Sequence, residues 1–118
     1  MNPTQETPPT QARQALPLDV ETMHRTVRLA LQYGRTLPPH QEVEALTEDL
    51  RGHLEEVLAA MAPMLARGDR GTREWSQART LHDHARYQLD AHPGPGLQSA
   101  AAHMTALALT VHNLTAMF

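Results

Sequence analysis

The last stretch of the chain, Leu97 to Phe118, contains no Asp, Glu, Lys or Arg, and this constrains the fold more than any other sequence feature. Apolar residues recur in it at helical spacing, so it predicts a helix without a charged face. A surface helix normally keeps one charged face toward water, so this helix is either largely covered by its own domain or contacts a partner. Polar residues such as His103 and Asn113 interrupt it too often for a transmembrane span of about 20 predominantly apolar residues. We therefore expect no membrane partner.

Three upstream stretches show the same helical periodicity. Asp19 and Thr72 are suitable N-caps, Gly34 suits the end of a first helix, and Pro93-Gly94-Pro95-Gly96 stops a third. Pro63 lies inside the second pattern, where it removes a backbone hydrogen bond, so the helix should bend or restart there. The predicted helices are 19–34, 40–67, 72–91 and 97–118.

Four amphipathic helices with short connections, and no alternating strand pattern, predict an all-α fold. Residues 18–118 should form one domain, an antiparallel up-down four-helix bundle. Residues 1–17 are rich in Pro, Thr and Gln and poor in large apolar residues, which predicts a disordered tail. They also lack the features of a secretory signal. The chain contains no Cys, which excludes thiolate chemistry and agrees with a cytoplasmic protein.

The charged residues argue against a nucleic-acid partner. The chain has 10 Lys and Arg against 13 Asp and Glu, a net charge of −3, and no run of basic residues. Affinity for a nucleic-acid backbone requires a clustered basic surface. We therefore expect the protein to bind no nucleic acid.

A combination of short motifs resembles a known family. The motifs are Leu50-Arg51-Gly52-His53-Leu54, Ala85-Arg86 with Leu89, Pro93-Gly94-Pro95-Gly96, and His103 with Leu107-Ala108 and Val111. In this order they resemble an uncharacterised actinobacterial family of small helical proteins labelled natural product biosynthesis proteins, over roughly residues 38–114. The resemblance implies a helical protein encoded near biosynthetic genes, and no particular reaction. Relatives carry Arg on the outer side of the last helix, where this chain has Thr105, Leu109 and His112.

Several basic side chains lie on or beside the apolar faces when residues are placed about 100° apart around each helix. If the last three helices are neighbours, Arg51, His53, Arg86 and His103 would converge and donate to a carboxylate or phosphate. The alternative is that the two arginines pair with Glu55 or Asp90 at the surface. The candidate ligand-binding residues are Arg51, His53, His82, Arg86 and His103.

A metal site is the other chemistry that these imidazoles suggest. His24, His53, His82, His103 and His112 fall on or beside apolar faces, and bundles often build metal sites from such residues. However, the chain lacks the two Glu-x-x-His pairs of a di-iron bundle, and it has no His-Glu-x-x-His motif. We therefore expect hydrogen-bonded histidines, no metal and no cofactor.

No group of residues has the arrangement of a catalytic site. Ser76 and Ser99 have no His and carboxylate partners at suitable spacing, and a small bundle offers little cleft. The sequence thus favours a non-catalytic protein over an enzyme. We expect an accessory or regulatory protein that acts through protein contacts.

The last helix provides the predicted contact surface. Its inner face should carry Leu97, Ala100, Met104, Leu107, Ala108, Val111 and Phe118. Its outer side should carry the partner-binding residues Ala102, Ala106, Leu109, Asn113 and Met117. Small residues at Ala102 and Ala106 would let two backbones approach, which suits a two-fold homodimer, and a different protein partner is the alternative.

Overall fold

The computed structural model describes residues 18–33, 35–36 and 38–118. In this part of the chain there are four α-helices and no strand: α1 (Val20–Tyr33), α2 (His40–Arg67), α3 (Arg73–Asp90) and α4 (Leu97–Thr115). The predicted all-α, up-down four-helix bundle is confirmed. The predicted tail, residues 1–17, and Gly34 lie outside the described residues. None of the described helices combines the length and apolar character needed to cross a lipid bilayer.

The helix ends follow from local hydrogen bonding. Asp19 accepts a hydrogen bond from the backbone N–H of Thr22 at 3.1 Å, and Thr72 accepts one from that of Trp75 at 3.2 Å. Both side chains thus satisfy donors that have no partner inside the helix. The two hydrogen bonds from Thr22 lower the pKa of the Asp19 carboxyl. Helix α2 continues through Pro63 as one element and does not restart there.

The core is built from apolar stripes that face one another across the helices. Helix α2 contributes a continuous stripe from Val43 to Leu65, because apolar residues recur in it every three or four positions. Helix α4 is the most deeply buried element. Its fully buried residues include Met104, Leu107, Ala108, Val111 and Leu114.

One inner-face prediction for the last helix is wrong. Phe118 is 50 % exposed, while Met117 packs against the core. Helix α4 ends at Thr115, Ala116 and Met117 lie in a turn, and Phe118 is non-helical. Helical spacing therefore no longer decides where their side chains lie.

The four helices do not pack equally. Helices α2 and α4 form the extensively packed centre, and α1 packs on both of them. Helix α3 packs mainly on α2, touches α4 only slightly, and does not contact α1 within the described residues. Only Ala85 and Leu89 of α3 are buried, whereas Trp75, Ala78 and Leu81 are half-buried. Part of α4 consequently stays open to solvent, including Ala102, Leu109 and Asn113.

Candidate functional site

Two side-chain donors hold α3 against α2, one at each end of α3. The indole Nε1–H of Trp75 donates to the Leu65 carbonyl at 2.8 Å, and a guanidinium N–H of Arg51 donates to the Leu89 carbonyl at 2.6 Å. Both carbonyls lie in the last turn of a helix, where the backbone provides no intrahelical partner. Toward α4, the only side-chain hydrogen bond described for α3 joins Gln88 to Thr110. Helix α3 is therefore held mainly by α2.

An open apolar cavity, which we name the Met-Trp groove, lies between the end of α2 and the start of α3. Its volume is about 250 Å³. Its apolar walls come from the end of α2, the start of α3 and Met117, the second residue after the end of α4. They are formed by Met61, Met64, Leu65, Trp75, Ala78 and Met117, and Gly68, Asp69, Thr72 and Glu74 complete the lining.

The Trp75 ring is fixed by its surroundings. A Cβ at Gly68 would lie 2.7 Å from Cδ1 of Trp75, so only glycine lets the ring approach the backbone this closely. The Arg70 guanidinium carbon lies 5.7 Å from the ring centroid, within the range of a cation–π contact. With its N–H already bonded to Leu65, the indole presents an apolar wall that needs no polar partner.

The outer face of α4 is the second accessible feature. We use this name for its exposed residues Gln98, Ala102, Leu109, His112, Asn113 and Ala116 together with the half-buried Thr105 and Ala106. No Asp, Glu, Lys or Arg lies on this face. Of the predicted partner residues, Ala102, Leu109 and Asn113 are exposed, Ala106 is half-buried, and Met117 lines the Met-Trp groove.

Among the predicted ligand-binding residues, Arg51 and His103 come close enough for their charges to interact. The Nε2 atom of His103 is buried and has no hydrogen-bond partner among the described residues. Burial lowers the pKa of His103, and the positive charges of Arg51 and His92 lower it further. Arg51 itself donates to Leu89 at the end of α3. The pair is thus a half-buried basic cluster between α2 and α4.

The other three predicted ligand-binding residues lie elsewhere. The Nε2 atom of His53 is 3.1 Å from the hydroxyl of Thr26 on α1, on a different side of α2 from Arg51. Residues 51 and 53 are two positions apart and therefore diverge by about 200° around the helix axis. His82 contacts its neighbour Asp83 at 3.3 Å, and Arg86 is exposed on α3. The five residues do not form one pocket, and ligand binding by any of them stays a prediction.

Two histidines join α1 to the central helices through threonine hydroxyls. The His24 Nε2 atom lies 3.0 Å from the hydroxyl of Thr115 on α4, as His53 lies near Thr26. Each hydroxyl also lies within hydrogen-bond distance of a backbone carbonyl in its own helix, at 2.9 Å for Thr115 and 3.2 Å for Thr26. Because a hydroxyl carries one proton, the imidazole Nε2–H is the donor in both pairs when the hydroxyl donates to that carbonyl. These histidines therefore have a structural role in holding α1.

The histidines do not assemble a metal centre in the described part of the chain. The rings of His24 and His112 lie 5.8 Å apart between their centroids, tilted by 46°. No group of three or more His, Asp or Glu side chains there has an arrangement that would hold a metal ion.

Sequence patterns do not predict the Met-Trp groove. Met61, Leu65, Trp75 and Ala78 recur at helical spacing in apolar stripes, and such stripes ordinarily meet a neighbouring helix. A local signal was present, since the single Trp of the chain follows Gly68 closely and lies near three apolar residues that end α2. That signal does not show that a cavity would remain between these residues and Met117.

The comparisons with known proteins give one match. A family model described as a family of unknown function (DUF6415) matches residues 21–118, which includes all four helices except the first residue of α1. No curated protein and no solved structure matches the chain.

Proposed function

The chain belongs to the family of unknown function DUF6415, which assigns it no activity, and we propose that it is a non-catalytic helical interaction protein that self-associates through α4. The observation that carries this proposal is the exposed, charge-free outer face of α4. Leu109, near its middle, is 47 % exposed. Small side chains at Ala102 and Ala106 allow a second helix to approach closely.

The absence of charge favours a second copy as the partner. In a two-fold contact the same patch occurs on both subunits, so residues near the axis meet their own equivalents. A charged residue there would face a like charge, and like-charge contacts across an interface are unfavourable. Helix α4 avoids this repulsion entirely, because no charged residue occurs between Leu97 and Phe118.

Light scattering on the purified protein tests the self-association. We expect a dimer at micromolar concentrations and a monomer for Leu109→Arg, because the substitution places two positive charges at the interface. The matched control is Leu29→Arg, since Leu29 is 42 % exposed on α1 and lies outside the outer face of α4. A wild-type monomer, or a Leu109→Arg variant that remains dimeric, would contradict the proposal.

We propose small-ligand binding at Arg51 and His103 as a second candidate function. It is supported by the buried His103 Nε2 atom without a partner and by the neighbouring positive charge of Arg51. Inorganic phosphate or acetate should then raise the melting temperature, because a ligand that binds only the folded state stabilises it. His103→Gln should abolish the increase and the exposed Arg86→Ala should retain it. An unchanged melting temperature for the wild type would exclude these anions.

We propose a cytoplasmic accessory role in natural product biosynthesis, which rests on the sequence resemblance described above. A deletion strain of the native host should produce an altered level of a secondary metabolite. Complementation with the wild-type gene should restore that level, and the monomeric Leu109→Arg variant should not. An unchanged metabolite profile in the deletion strain would contradict the role.

A further inference from the structure

His24 and His112 bring two imidazoles together where α1 meets the outer face of α4. Their ring centroids lie 5.8 Å apart, and the ring planes are tilted by 46°. His112 is exposed on the outer face of α4, one helical turn beyond Leu109, whereas His24 is half-buried on α1. The pair therefore lies at the edge of the face that mediates the proposed self-association.

One chain of hydrogen bonds links the two histidines and selects the tautomer of His24. The Thr115 hydroxyl donates to the backbone carbonyl of His112 at 2.9 Å, and the Nε2 atom of His24 lies 3.0 Å from the same hydroxyl. Because the hydroxyl carries one proton, the Nε2–H of His24 is the donor, which leaves a lone pair on its Nδ1 atom. Histidines that bind metals are usually oriented by such a hydrogen bond from the other ring nitrogen. Thr115 thus prepares His24 to bind a metal through Nδ1.

The distance between the two rings suits a shared transition-metal ion. A Zn–N bond is about 2.0–2.1 Å long and a ring nitrogen lies about 1.1 Å from the ring centre, so two imidazoles on one ion have centres about 4.5–6.5 Å apart. The observed 5.8 Å lies within this range. No third His, Asp or Glu side chain of the described residues joins the pair in a metal-binding group. One copy therefore supplies two ligands, half of the four that Zn²⁺ takes in a tetrahedral site.

We propose that two copies bind one divalent transition ion, of the kind that imidazole prefers, through His24 and His112 of each copy. The inference rests on the proposed self-association through α4, which the ion strengthens. A two-fold interface presents the same groups on both copies, so two half-sites that meet at the axis form one site of four imidazoles. Zn²⁺, Ni²⁺ and Cu²⁺ all suit imidazole nitrogen, and Zn²⁺ suits a tetrahedral set of ligands.

The charges around the pair allow a cation to bind there. Helix α4 contributes no charged residue, because none occurs between Leu97 and Phe118. On α1 the charged residues one turn from His24 are Glu21 and Arg28, whose charges are opposite. Without an ion, imidazole acceptors of the two copies would face one another and lack donors, which is unfavourable in a buried contact. A cation satisfies all four lone pairs at once.

Light scattering and calorimetry on protein freed of metal with EDTA test the shared site. ZnCl₂ should lower the dissociation constant of the dimer by about tenfold or more, because an ion that binds only the dimer stabilises it. Calorimetry should give one Zn²⁺ for two chains. MgCl₂ should have no effect, since Mg²⁺ prefers oxygen ligands. Renewed addition of EDTA should reverse the effect of ZnCl₂.

Substitutions of His112 and Thr115 test the roles assigned to them. His112→Ala should abolish the effect of Zn²⁺ and keep the helical circular dichroism of the wild type, because His112 is exposed. His84→Ala is the matched control, since His84 is an exposed histidine of α3. Thr115→Val should weaken Zn²⁺ binding by about 10–100-fold, as loss of the hydrogen-bond partner of a metal-binding histidine does, and Thr115→Ser should retain the affinity. A Thr115→Val protein with wild-type affinity would contradict the positioning role of Thr115.

The outcomes separate this inference from the proposed self-association. A dimer that Leu109→Arg disrupts, but whose affinity Zn²⁺ leaves unchanged, would overturn the metal site alone. Zn²⁺ binding that persists in His112→Ala, or that occurs once per chain, would also overturn it. A monomer in EDTA that ZnCl₂ converts into a dimer, except in Leu109→Arg, would support both. A protein that stays monomeric with and without Zn²⁺ would overturn both.

Discussion

The two outer helices of the bundle, α1 and α3, are attached to its centre in different ways. Helix α1 is joined to both central helices, by His53 with Thr26 on the α2 side and by His24 with Thr115 on the α4 side. Helix α3 is joined to α2 at both ends, by Trp75 and Arg51, and meets α4 through Gln88 and Thr110. Helix α1 is therefore attached to both central helices, whereas α3 is attached mainly to α2.

The two outer helices also differ in the number of residues that they bury. Helix α1 buries four of its 14 residues, whereas α3, with 18 residues, buries only two. A helix with few buried residues contributes less to the core and exposes more of its apolar stripe. We infer that the stability of the bundle depends more on α1 than on α3 per residue.

The largest expected effect is the loss of stability when a core residue of α1 is truncated, compared with a residue of α3. Met23→Ala on α1 should lower the free energy of unfolding by about 2–5 kcal/mol, because the side chain is fully buried and its removal leaves a cavity. Leu81→Ala on α3 should lower the free energy of unfolding by a smaller amount, since Leu81 is only half-buried. Urea denaturation measures both. Equal losses would show that the two sides are packed alike.

A second prediction concerns the contact between α2 and α3. Gly68→Ala should lower the free energy of unfolding by about 1–3 kcal/mol, because the added Cβ would lie 2.7 Å from Trp75 and 3.0 Å from the Met64 carbonyl oxygen. Trp75 emission should shift to longer wavelength as the ring moves outward. Gly52→Ala is the control, since its added Cβ meets no atom within 4 Å. A stable Gly68→Ala protein with unchanged emission would contradict this account of the groove wall.

A third prediction tests the attachment of α1. Thr26→Val keeps the shape of the side chain and removes its hydroxyl, which leaves the Nε2 atom of His53 without its hydrogen-bond partner. The expected loss is about 1 kcal/mol in chemical denaturation. Thr80→Val should be nearly neutral, because the Thr80 hydroxyl is exposed and bonds only to its own helix. If both substitutions lower the free energy of unfolding equally, the His53 hydrogen bond does not contribute to the attachment of α1.

The smallest expected effect is the pH dependence that His103 contributes. Its pKa in the folded protein lies below the ordinary value of 6.5, chiefly because of burial. Below about pH 6.5 the unfolded chain therefore binds more protons at this residue, so the free energy of unfolding decreases as the pH falls toward the folded pKa. Denaturation at pH 7.5 and pH 5.5 should show a smaller decrease for His103→Gln than for the wild type. An identical decrease would exclude this contribution.

Local sequence patterns predicted the secondary structure and most of the core. Spacing within a single helix predicts the apolar stripe of α2 and the buried Met104, Leu107 and Val111 of α4. Residue type and position predict the Thr72 cap. The same helical spacing predicted that Arg51 and His53 contribute to one candidate pocket. In the structure they lie on different sides of α2. Spacing shows the angle between residues on one helix but not which neighbouring helix each side will face.

The sequence by itself determined that four helices form and that α4 carries no charge, because both depend only on residue types and their spacing. Tertiary structure alone decided that Trp75 and Arg51 would hold α3 against α2 and leave α4 partly uncovered. These contacts join residues that are 10 and 38 positions apart. They depend on the relative positions of whole helices, and that is why the Met-Trp groove and the exposed Phe118 become visible only in the folded protein.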